Sequence, residues 1–138
     1  MKNNENIILT KSYNFAKRIV KLYLYISKEK KEYVLSKQLL RSGTSIGANI
    51  EEAQAGQSKK DFIAKTQISL KEAKETHYWL RLLRDTQIIE KKLANSIIKE
   101  CEELLYILSA ILKSAKRGKI KKWRKEEIKK LRNEKLRN

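Results

Sequence analysis

Three observations predict an all-α fold. The 138 residues include no proline and only four glycines, so little in the chain forces a long helix to break. Apolar residues recur at spacings of three and four over four long stretches, the period of helices buried along one face. Lys, Glu, Leu, Ile and Ala dominate, as they do in helical proteins. Short polar breaks between the stretches imply antiparallel neighbours. The predicted architecture is an antiparallel up-down-up-down four-helix bundle over residues 1–115, followed by a basic C-terminal helical extension over 116–138. The length suits one domain with a sizeable core.

The first helix is predicted from about Ile7 to Lys30, where Ile8, Phe15, Ile19, Leu22 and Ile26 follow a seven-residue pattern. Leu9, Ala16, Val20 and Tyr23 make a second seam beside it, wider than one bundle requires, so a subunit interface is expected there. Lys28 to Glu32 reads as a polar turn. The second helix, from about Tyr33 to Ala55, carries Leu35, Leu39, Ile46, Ile50 and Ala53 inward, with Gly56 suited to its C-cap. Ser58 and Asp61 have capping-box spacing directly before Phe62, and the third helix follows to about Arg84 with Phe62, Leu70, Ala73, Leu80 and Leu83 apolar. Asp85 and Thr86 read as a turn and a new N-cap. The fourth helix has the cleanest heptad: Leu93, Ile97, Cys101, Leu104, Leu108, Ile111 and Ala115. Cys101 reads as a small buried hydrophobe within it.

Two segments place small and polar residues where a bundle normally keeps Leu and Ile. In Arg41 to Ala53, Gly43, Gly47 and Ala48 bare one face, which implies close approach of a neighbouring helix. Arg41, Ser45, Asn49 and Glu52 share a stripe, and Glu72, Glu75 and Thr76 form another. Facing each other, they predict a buried or half-buried network, in which losing one partner would cost about 3 kcal/mol. A catalytic or metal role for these carboxylates is the minor reading. Di-metal bundles use Glu-x-x-His pairs, and the one histidine, His77, has no glutamate three residues before it. No cofactor and no metal is expected.

The formal charge is +17, from 33 basic and 16 acidic side chains, which favours polyanions as partners. Residues 113–138 alone hold thirteen Lys or Arg against three Glu. The candidate nucleic-acid-binding residues are therefore Lys113, Lys116, Arg117, Lys119, Lys121, Lys122, Arg124, Lys125, Lys129, Lys130 and Arg132, with Trp123 as a stacking surface and Arg81 and Arg84 on the body. Gly118 is expected to interrupt this segment. With one cysteine, no intrachain disulfide is possible. No N-terminal leader and no bilayer-length apolar run is evident, so a cytoplasmic protein without a membrane partner is expected.

The motif Arg41-x-x-x-Ser45-Ile46-x-x-Asn49-Ile50-x-Glu52, with Ser58 to Phe62 and Ser69-Leu70-x-Glu72-x-x-Glu75-Thr76, resembles bacterial four-helix-bundle proteins that include the 23S ribosomal RNA intervening-sequence proteins. The resemblance covers roughly residues 7 to 115. It implies an antiparallel bundle assembled as a homopentamer with a basic surface. A structurally related relative is the accessory variability determinant of diversity-generating retroelements, which binds a reverse transcriptase and nucleic acid; Tyr78 to Leu83 is similar to its third helix. Gly47 stands where many members have proline, and the basic arm is longer than members ordinarily carry. The function expected is a non-enzymatic, oligomeric accessory protein binding RNA or single-stranded DNA, with a reverse transcriptase as protein partner. The alternative is a structural or protein-interaction module with no nucleic-acid role. An enzyme built on Glu72 and Glu75 is the third reading.

Overall fold

The computed structural model describes the backbone of residues 2–137 and their side chains except those of Lys2, Lys119, Ile120, Lys121 and Trp123. Four helices account for almost all of it: α1 (Lys2–Glu29), α2 (Leu35–Gln54), α3 (Lys59–Asp85) and α4 (Lys91–Arg137). Each packs on its sequence neighbour and α1 also packs on α4, which closes the square of an antiparallel bundle. The interior is built from the expected seams. Ile8, Phe15, Ile19, Leu22 and Ile26 of α1 meet Leu39, Ile46 and Ile50 of α2, Ala73, Leu80 and Leu83 of α3, and Ile97, Leu104, Leu108 and Ile111 of α4.

Cys101 belongs to this core. Its thiol donates to the Ala73 carbonyl at 3.3 Å, and burial pushes its pKa up to about 12. A thiol held protonated in this way is a poor nucleophile.

The glycine face lies where close approach was expected, but Ala48 is not part of it. An added Cβ at Gly43 would sit 2.8 Å from Ile19 Cγ2, and one at Gly47 would sit 3.2 Å from Ser12 Oγ. Both glycines therefore let α1 press against the α2 backbone, whereas Ala48 is exposed. Hydroxyls line the opposite seam, between α2 and α3. Ser69 donates to the Ile46 carbonyl at 2.8 Å and Thr76 to Ser42 Oγ at 2.9 Å, both fully buried. Thr76 is thus a core residue, not a member of an outer polar stripe.

Several boundaries differ from expectation, each for a local reason. α1 starts at Lys2, since its polar first turns need only solvent and an unbroken backbone. α2 starts two residues late, at Leu35, because Glu32 caps it. The Glu32 carboxylate accepts from the backbone N–H groups of Val34, Leu35 and Ser36 at 2.8–2.9 Å. Burial works against that charge, but donation from Leu35, Ser36 and Val34 outweighs it and holds the carboxyl below its ordinary value. Lys31, just before it, turns the chain with φ 52°. Gly56 follows the C-cap Ala55 without adopting a positive φ, so its left-handed freedom is unused.

Ser58 caps α3 as its spacing predicts, accepting from the Asp61 N–H at 3.1 Å. Asp85 and Thr86 do not start the fourth helix. Thr86 closes α3 instead, its N–H bonding the Leu82 carbonyl at 3.0 Å. Gln87 then turns at φ 64°, Ile89 plugs the core, and α4 begins only at Lys91.

The largest departure concerns Gly118. α4 runs through it without a break, so the fourth bundle helix and the basic arm are one helix of 47 residues. A single glycine costs a helix about 1 kcal/mol, too little to end one flanked by good helix formers. No helix among the described residues is long and apolar enough to cross a membrane.

Candidate functional site

The polar stripes separate into three arrangements. Arg41 is the hub of the first. Its guanidinium donates to both Glu72 carboxylate oxygens, at 3.4 and 3.5 Å, and forms a close bond with Glu75 Oε2. The same Glu75 oxygen accepts from the Trp79 indole N–H at 3.2 Å. Trp79 in turn stands edge-on to Tyr78, with ring centroids 5.1 Å apart. The attraction of Glu72, with Glu75 behind it, raises the Arg41 pKa further above its ordinary value.

Ser45 and Asn49 do not join this cluster. Ser45 donates to the Arg41 carbonyl at 2.6 Å and Asn49 to the Ser45 carbonyl at 2.8 Å, both back into their own helix. Glu52 pairs elsewhere, with Lys65 of α3 at 2.7 Å. The shared stripe was legible in the sequence. What set its members apart is reach: the short serine and amide bond the carbonyl one turn back, while Arg41 and Glu52 each pair with a long charged partner on α3.

The Arg41 cluster is half-buried at most. The Arg41 side chain is 51% exposed, that of Glu75 38% and that of Glu72 20%. Both carboxylates are engaged by the Arg41 guanidinium. Among the described residues no group of three or more His, Cys, Asp or Glu gathers to hold a metal. His77 lies on the α3–α4 seam, 3.2 Å from Glu102.

The second candidate region is the arm. Ala115 is the last buried residue of α4, and beyond it no described residue is buried. Lys113, Lys116, Arg117, Lys122, Arg124, Lys125, Lys129, Lys130 and Arg132 are all exposed. Ile128, Leu131 and Leu136 are also exposed, so these apolar side chains of the arm find no place in the core. The stacking role expected of Trp123 and the contacts expected of Lys119 and Lys121 fall on side chains outside the described residues. Where the arm leaves the bundle, the Lys59 ammonium lies over Gly118, 2.6 Å from where a Cβ would stand.

Arg81 and Arg84 lie at the other end of the bundle. Arg84 donates to Asp85 Oδ1 at 2.8 Å and to Asn95 Oδ1 at 3.0 Å, tying the end of α3 to the start of α4. The hydrogen bond to Asp85 raises the Arg84 pKa and lowers that of Asp85. Asn95 and Gly118 are separated by about 35 Å along α4 at 1.5 Å per residue. The structure therefore does not bring these two arginines to the arm. Arg81 stands over the Tyr78 ring, 5.9 Å from its centroid.

A third surface lies on α1. Of the second seam, Val20 is 39% exposed and Leu9, Ala16 and Tyr23 are half-buried, and beside it Leu24 is 42% and Tyr13 62% exposed. On its other flank α1 is pinned to α4 by Lys11–Glu103 and Arg18–Glu100 ion pairs.

Comparison with known proteins gives this geometry relatives. A family model described as 23S rRNA-intervening sequence protein matches residues 4–110. Among solved structures, the chain is similar to a crystal structure of a protein with unknown function from the S23 ribosomal protein family of Bacteroides thetaiotaomicron. The two are 51% identical with a TM-score of 0.79, over 80% of this chain and 98% of that one. No curated protein matches the chain. Residues 111–138, the arm among them, lie outside the matched family region.

Proposed function

The chain belongs to the 23S rRNA-intervening sequence protein family, and we propose that it is a non-enzymatic, oligomeric accessory protein that binds nucleic acid through phosphate electrostatics. The observation that carries this reading is the arm. Residues 113–138 have a formal charge of +10, and from Lys116 to Arg137 α4 continues past the core as an exposed helix. Beyond Ala115 none of the described side chains is buried, and Lys and Arg displayed in this way release counterions when they meet phosphates. The engaged state of Glu72 and Glu75 favours a structural use of those carboxylates over catalysis.

The open seam on α1 supports assembly. Apolar and aromatic side chains beside a closed bundle face suit a subunit interface, and the family resemblance points to five copies. Assembly multiplies the arm's charge without any new contact within the protomer. A reverse transcriptase as protein partner and a cytoplasmic location are part of the same proposal.

The test is binding of fluorescent oligonucleotides at several salt concentrations. The expected result is a linear fall of log K with log salt, steep enough to count several phosphates. Weak binding with a flat salt response would sink the proposal and favour the second reading, an interaction module centred on the α1 seam.

A further inference from the structure

Resting on the reading that the arm binds nucleic acid, we propose that its target is double-stranded DNA, with the arm lying as a helix in the major groove. A frayed, glycine-interrupted segment would suit a flexible single strand, which can wrap it. The arm is instead an unbroken continuation of a 47-residue helix. Residues 116–137 extend about 33 Å at 1.5 Å per residue, close to one turn of B-DNA. An α-helix is about 10–12 Å across and the B-form major groove about 12 Å wide, whereas the A-form RNA major groove is deep and narrow.

The placement of charge around the helix fits a groove with two walls. At 100° per residue, Arg117, Arg124, Lys125, Lys129, Arg132 and Lys135 fall within about 140° of arc that holds no acidic residue, while Lys116, Lys122, Lys130 and Arg137 lie outside it. That width faces phosphates on both flanks at once, while a narrow stripe would face only one strand. The three acidic residues of the arm, Glu126, Glu127 and Glu134, fall on the opposite side among Lys116, Lys130 and Arg137, so that side is much less positive and would face out of the groove. Six phosphate contacts predict a salt slope of about −5 on duplex DNA.

The full-length protein should be titrated, by fluorescence anisotropy, against a 20-base-pair DNA duplex, one of its single strands, and an RNA duplex of the same sequence. Duplex DNA is expected to bind at least about tenfold tighter than either alternative at 150 mM salt. Guanine N7 positions, which lie in the major groove, should be protected from methylation in the complex. Ile128→Pro keeps every charge but kinks the arm well past the bundle; its duplex affinity should fall to the single-strand level. Equal binding of all three polymers, unprotected N7 positions or an unaffected Ile128→Pro variant would overturn the groove proposal and leave the arm as a general polyanion binder. Failure to bind any of the three would overturn both.

Discussion

Arg41 shows how exposure decides the worth of an interaction. A buried network would lose about 3 kcal/mol or more on removal of one partner. With Arg41 half-exposed, solvent screens the pair, and Glu75→Ala should cost only about 1 kcal/mol by denaturant melting. Part of that loss comes from the Trp79 indole, which loses its acceptor. A cost above about 3 kcal/mol would mean that another chain covers the cluster. The two glycines of α2 should answer differently to one methyl group. Gly43→Ala drives a Cβ into Ile19, whose branched Cγ atoms are fixed in the core, and overpacking should outweigh the helix-propensity gain by about 1–2 kcal/mol. At Gly47 the nearest atom is a serine hydroxyl that can rotate, so Gly47→Ala should be neutral within about 0.5 kcal/mol.

Among the elements, α2 owes its start to a residue that sequence reading assigned to a turn. Glu32 lies outside the helix, yet it accepts three of the N–H groups that the first turn leaves unpaired. Glu32→Ala should destabilise the bundle by about 1–2 kcal/mol. The pH dependence follows from the sign of the shift. Its folded pKa is lowered, so the stabilisation is complete above the ordinary value of 4.5 and is lost as pH falls through the depressed one. Thermal melts of the wild type and Glu32→Ala should therefore converge as pH falls below 4.5, and a difference that stays constant into strong acid would rule out the charge-based cap. α4 makes the converse point. Its register is set by the core heptad up to Ala115, and the remainder keeps helical form although none of its described residues is buried.

For the whole molecule, fold and charge are separable. The core ends near Ala115, so removing residues 117–138 takes eleven basic side chains and no buried one. Circular dichroism of the truncated protein should show loss of the arm's own helix but an unchanged melting temperature within about 2 °C. Light scattering of both forms should give the same number of subunits, several times the 16.3 kDa chain for the full-length protein. A monomer at micromolar concentration would remove the role assigned to the α1 seam. Nucleic-acid binding should weaken sharply in the truncated form, with a shallower salt slope. If binding survives unchanged, the body surface carries it and the arm is a bystander.

The sequence by itself determined the helical class, the four core seams and the Ser58 cap, because each rests on local periodicity or on spacing within one turn. It also located a close helix approach on α2, since two glycines four apart leave a helix face without side chains, but not that the neighbour is α1. Tertiary structure decided the rest. Arg41, Ser45, Asn49 and Glu52 share one stripe, but only the distance to α3 separates the arginine that bridges from the amide that bonds its own backbone. Thr76 and Glu75 are neighbours in sequence, yet helix rotation buries one against Ser42 and leaves the other at the rim. Whether Gly118 breaks a helix depends on a balance near 1 kcal/mol between one residue's propensity and that of its neighbours. The separation of Arg84 from the arm follows from the antiparallel course of α3 and α4, which puts residues 84 and 118 at opposite ends of the bundle. Local chemistry fixes what each segment is; long-range packing fixes which segments meet.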